Sequence, residues 1–313
     1  MGGIVAFQWE QQQLTVLQNR DNWEARQVIS YDFIRHFGLL NFACINACCI
    51  TLVIKAAAWD EDNKILAGRC EVNGGTWFGV SRNGRVAFLA DSALLFDGHD
   101  VTDVSGGGAE WLPVQFVESK MSPKKFAEEL QRIEKNSCMN GDDEEDDYEM
   151  DPDERGLTYN LIVADITSSS MYYICKPMAF KPRVDIEKVA FGVHTLSSDG
   201  LDNPESPKDL RLKGLFNGII VAYKNKQLPP LKELAERLMY DRVQAVQGDQ
   251  LSALFVEKMD FQPLTEDDEK KRYGTTSTTA FAVKPTKEVV FYERHFEPGG
   301  GWTHHDFTFN ITA

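Results

Sequence analysis

Alternating apolar and polar positions open the chain as a β-hairpin. "GIVAFQW" at 3–9 and "LTVLQ" at 14–18 are strand-forming runs, and "EQQQ" between them makes the turn. "KILAGR", "TWFGVS" and "RVAFLA" predict three more strands within 64–90. Asn83-Gly84 lies between the last two and suits a type I′ hairpin turn, which needs positive φ. "SPKKFAEELQRIEKN" at 122–136 predicts a helix with Ser122 as N-cap, Pro123 in its first turn, and Phe126, Leu130 and Ile133 as its apolar stripe. Strand signals return in "TYNLIVADI", "MYYICK" and "VAFGVHTLS". Helical patterning then fills roughly 206–224 and 229–258, broken at Pro229-Pro230, before three closing strands, "TTSTTAFAV", "EVVFYERHF" and "WTHHDFTFNI". Residues 97–112, with "SGGGAEW", read as loop. Hairpins dominate, so the predicted class is α+β, with largely antiparallel sheets carrying helices, in one domain over 1–313.

Two stretches fall outside this pattern. Residues 37–54 run without a charge, which is marginal length for a membrane span, and residues 27–55 are read as an apolar insertion. Asn41 and Asn46 within it disfavour lipid, and a buried helix fits equally well. The second stretch, 137–156, holds ten acids and no Lys or Arg between Gly141 and Arg155, too polar to bury a core, and is expected to be a disordered acidic loop.

Composition narrows the classes. The 313 residues carry a net charge of -15, and a large share of it sits in the acidic run, so no basic stripe offers itself to nucleic acid. The six cysteines form no CxxC pair, which favours reduced thiols over a disulfide framework. No secretory leader is evident, and Ala6 stands where a myristoylation signal at Gly2 would want Ser or Thr. The cytoplasm is the expected location, with Golgi or mitochondrial association as the alternative.

Chemistry-bearing motifs are few. No phosphate-binding loop, dinucleotide fingerprint, zinc-protease helix or nucleophile elbow occurs. His304 and His305 are neighbours on a strand and so face opposite ways, and His194 in an apolar strand reads as a satisfied histidine rather than a ligand. No metal site is expected. "NRD" at 19–21 is different: it ends the second strand, so the hairpin brings it beside residues 2–4. Arg20 can hold an anion in two bonds, and Asp21 can orient Arg20 or take a nucleophile's proton.

The chain resembles the NRDE family, also called the transport-and-Golgi-organisation-2 family. The resemblance rests on "NRD", "KILAGRCEVNGGTWFGVSRNGRVAFLAD" at 64–91, "SPKKFAEEL" at 122–130, "YNLIVADI" at 159–166, "HTLSSDGLDNP" at 194–204 and "YGTTSTTAFAV" at 273–283. It implies a four-layer αββα sandwich similar to N-terminal-nucleophile hydrolases, and involvement in Golgi organisation or in haem or lipid handling. It also implies a pocket at Asn19, Arg20, Asp21, Thr76, Trp77 and Ser198. Residues 27–54 have no counterpart in the family pattern, so translated intron or a divergent gene model becomes the leading reading of that stretch. Against the family's pattern, Gly2 replaces a nucleophilic Cys, Asn22 a Glu, Cys70 an Asp and Ser198 an Asn. The resemblance therefore implies a non-catalytic binding protein, with haem, a lipid or an acyl-CoA as ligand and no other cofactor. An amidohydrolase of the N-terminal-nucleophile type and a membrane-associated adaptor are the alternatives.

Overall fold

The computed structural model describes residues 3–23, 27–28, 50–51, 54–70, 74–90, 109–138, 158–178, 181, 183–223, 228–261, 271–297 and 300–312. Two antiparallel sheets face one another. The first runs in the order β13 (Gly200–Leu201), β12 (Gly192–Ser197), β1 (Gly3–Glu10), β2 (Gln13–Trp23), β15 (Lys271–Val283), β16 (Glu288–Phe296), β17 (Trp302–Asn310), with β14 (Met259–Phe261) also on β15. The second runs β11 (Asp185–Lys188), β10 (Ser170–Lys176), β9 (Tyr159–Asp165), β8 (Arg85–Ala90), β7 (Phe78–Ser81), β6 (Ile65–Cys70), β5 (Ile54–Trp59). A separate short pair joins β3 (Gln27–Val28) to β4 (Ile50–Thr51).

Successive strand side chains point to opposite faces, and strands buried at every position, such as β7 and β8, give the sheets apolar surface on both sides, so three cores result. Phe7, Val16, Phe78, Phe88, Phe281 and Phe291 fill the space between the sheets. Outside the second sheet lie α1 (Trp111–Glu118) and α2 (Pro123–Cys138), burying Phe116 and Phe126 against Leu161 and Val163. Outside the first lie α3 (Pro207–Ala222) and α4 (Leu231–Leu238), burying Phe216 and Leu234 against Ile4, Leu17 and Tyr292. Helix, sheet, sheet, helix is the predicted layer order.

Several local expectations change. The helix read over 229–258 stops at Leu238; beyond it the chain carries only a single 3-10 turn at Gln250–Ser252, in a stretch whose Gly248 takes φ 87°. Part of the loop read over 97–112 is instead the start of α1, which buries Leu112, Pro113, Val114, Phe116 and Val117. On α2 the buried stripe is Phe126, Ala127 and Leu130, while Ile133 is exposed. Of the apolar stretch 37–54, Ile50, Thr51 and Ile54 are in strands, and the rest lies outside the described residues, as does the acidic run. No helix among the described residues is long and apolar enough to cross a membrane.

Candidate functional site

The hairpin register sets Gly3 opposite Arg20 and Ile4 opposite Asn19, so the tripeptide lies beside the start of β1 as the turn requires. Strand alternation then divides it. Asn19 and Asp21 face the helix layer, and Arg20 faces the second sheet. Asn19 donates to the carbonyls of Met239 (2.6 Å) and Leu254 (2.7 Å) and accepts from the Thr278 hydroxyl at 2.6 Å. Asp21 accepts from the Thr275 hydroxyl at 2.6 Å and from Lys208 Nζ of α3 at 3.2 Å. Thr275 in turn exchanges backbone and side-chain bonds with Val256. Both residues thus spend their polar atoms on the protein and fix the 254–256 segment to the sheet.

Arg20 lies between the sheets. It is 7 % exposed, its guanidinium stands 4.6 Å from the centre of the Trp77 ring, and one Nη donates to Thr276 at 3.3 Å. It lines a cavity of about 20 Å³ together with Gln18, Gly68, Trp77, Ser277, Thr279 and Glu293. Three of these residues carry a buried polar atom with no hydrogen-bond partner among the described residues: Gln18 Oε1, Arg20 Nε and Trp77 Nε1. A cavity of this size and polarity has room for about one water or one ligand oxygen.

Burial lowers the Arg20 pKa to about 10, opposed most by the nearby carboxyl group of Glu293. The guanidinium remains charged at neutral pH. Glu293 accepts from the Ala57 backbone N–H at 2.5 Å, linking β16 to β5 of the facing sheet. Its pKa is raised by burial, despite the Ala57 bond and Arg20, which both favour the ionised form. The site therefore joins a buried cation to an acid that burial pushes toward its neutral form.

The other candidate residues lie around this core. Trp77 lines the cavity as the platform for Arg20. Thr76 also lines it, but its hydroxyl donates to the Phe78 carbonyl at 2.8 Å and its N–H to the Glu110 carbonyl at 2.7 Å. The adjoining Gly75 is needed because a Cβ there would overlap the Glu110 side chain. Ser198 sits in the turn after Ser197, the partner of Ile4, and its carbonyl accepts from Asn160 at 2.9 Å; it does not line the cavity. Cys70 is buried and free at the end of β6. Gly2 lies outside the described residues. Glu293 and Gln18 were missed by the sequence reading. Gln18 continues the inter-sheet face of Leu14 and Val16 toward Arg20, and Glu293 interrupts the apolar run of β16, so both were visible as polar residues on core strands.

His194 hydrogen-bonds Asp202 (2.6 Å) and the Ala190 carbonyl (3.0 Å), as a satisfied edge histidine would. No cluster of three or more metal-ligating side chains is found among the described residues.

The family model described as Transport and Golgi organisation 2 matches residues 1–298. The chain belongs to the Transport and Golgi organisation 2 family. No protein of curated function matches it. Among solved structures, a mutant conjugated bile acid hydrolase from Clostridium perfringens is similar at 12 % identity, covering 99 % of this chain and 92 % of its own, with a TM-score of 0.45. Penicillin V acylase from Agrobacterium tumefaciens is similar at 11 % identity, covering 99 % and 86 %, with a TM-score of 0.39.

Proposed function

We propose that the chain is a non-catalytic binding protein acting in transport or Golgi organisation, and that Arg20 receives the anionic end of an amphipathic ligand such as haem or an acyl-CoA. The reading is carried by the Arg20 Nε, a buried charged donor left unspent in a cavity. An unpaired buried donor costs about 1–3 kcal/mol, which a ligand oxygen would recover. Only the anionic tip fits the space of about 20 Å³, so the body of the ligand lies beyond it. Asn19 and Asp21 act here as positioning residues.

Titration of the whole chain with haem, followed by absorbance, and with palmitoyl-CoA, followed by calorimetry, tests this reading. Arg20→Lys should weaken binding by roughly 10-fold or more, the loss of one charge-assisted hydrogen bond. Circular dichroism would confirm that the variant folds. Absence of binding to both ligands, or equal binding by Arg20→Lys, would overturn it.

A further inference from the structure

Among the described residues the helix layer thins toward the edge of the first sheet: α4 packs on β15 and β16, and β17 keeps His304, His305 and Asp306 exposed. Two cavities, about 460 Å³ and about 220 Å³, open along that margin and share Tyr240, Arg294 and Trp302. The larger is the size of an ordinary small-molecule site. Between the two cavities stands Arg294. Its guanidinium is 4.7 Å from the centre of the Tyr240 ring and 4.4 Å from that of Trp302. Among the described residues it makes no hydrogen bond and no ion pair. Two aromatic rings flank the half-buried guanidinium, and its N–H groups have no partner among the described residues.

Charge points the same way. The two cavities are lined by four cations, Lys232, Arg242, Lys258 and Arg294, against two carboxylates, Glu236 and Glu257. Glu257 is already engaged by Arg242 at 2.7 Å, and Lys258 Nζ lies over the Phe296 ring at 3.2 Å. Lys232 has no ion pair among the described residues, and it shares the larger cavity with Arg294. A positive groove on a chain of net charge -15 is set against the field of the whole molecule.

We propose that this groove is a second binding site, for an organic phosphate: Arg294 and Lys232 hold the phosphate, and the ligand's apolar body lies against Trp302. Two free cations suit a dianion better than a carboxylate, and the planar guanidinium offers paired N–H groups that match two phosphate oxygens. Glu236 on the same rim selects against ligands whose body carries further negative charge. The site is separate from Arg20, because the first sheet stands between them. The phosphate can come from a soluble metabolite or from a lipid headgroup.

The test uses the full chain and calorimetry with 4-nitrophenyl phosphate, inorganic phosphate and 4-nitrophenol, beside flotation with phosphatidic acid vesicles. 4-Nitrophenyl phosphate should bind more tightly than either fragment. Arg294→Gln should weaken it at least 10-fold, and Trp302→Leu should remove its advantage over inorganic phosphate. Lys124→Gln, an equal charge loss on the opposite helix layer, should leave binding unchanged. Flotation lost in Arg294→Gln, with no binding of the soluble phosphates, assigns the phosphate to a lipid headgroup. Binding of neither source, or binding by a folded Arg294→Gln equal to that of the parent, overturns the proposal.

Discussion

Asn19→Ala would strand two buried carbonyls, those of Met239 and Leu254, together with the Thr278 hydroxyl. The expected loss is about 3 kcal/mol or more, read as a lower urea midpoint at unchanged m-value. Glu293 makes a pH prediction. Its folded pKa is raised above 4.5, so the native state keeps a proton that the unfolded chain gives up. Stability therefore falls as pH rises from about 4.5 toward the folded value, by at most roughly 1.4 kcal/mol per pH unit, and the penalty is complete above it. Glu293→Gln keeps an oxygen for the Ala57 N–H but cannot ionise. Its stability relative to the parent should rise with pH between 4.5 and 8 in urea titrations. Asp209, also raised by burial, acts with the same sign in both proteins and cancels from the difference. A pH-independent difference would show that Glu293 does not titrate as described. The position of the tripeptide was legible in the hairpin, whose short turn fixes register. Its division was missed because the three residues were treated as one wall, although adjacent strand residues face opposite sides.

Elements were legible where one strong signal governed them. Asn83-Gly84 marks the hairpin from β7 to β8, but the turn is not type I′: Gly84 alone takes positive φ, 84°, and its N–H closes a three-residue loop on the Ser81 carbonyl. The register of β1 on β2 followed from the alternating pattern. α4 was over-extended because 239–258 contains helix-compatible residues without a periodic apolar face, and their partners are the ends of β2 and β15, remote in sequence. α1 was hidden by the preceding glycines and by Pro113, which is tolerated because it falls in the first turn. Ser206 caps α3 by accepting from the Asp209 N–H, so Ser206→Ala should cost about 1 kcal/mol in chemical denaturation. Gly75→Ala would drive a methyl into Glu110 at the junction of the 74–77 segment with α1. It should destabilise by about 1–3 kcal/mol, measured in the same way.

At the scale of the molecule, the inter-sheet core is aliphatic and aromatic, and Phe78 is a hub of it, beside Phe88 on its own sheet and across from Phe281 and Phe291 on the other. Phe78 meets Phe88, Phe281 and Phe291, with ring centres 6.1, 5.3 and 5.7 Å away. Phe78→Ala should cost about 3–5 kcal/mol, a large share of the roughly 5–15 kcal/mol typical of a folded domain, and should lower the melting temperature measurably. The α+β class was legible in the hairpin pattern, and the layer order came from the family resemblance, whereas the grooves depend on how far the helices reach across a sheet, which no local pattern encodes. Asn19 and Asp21 bolt the 254–256 segment and α3 to the sheet whatever happens at Arg20. The tripeptide is therefore masonry as well as equipment: a lineage could lose its reaction and still be compelled to retain these letters.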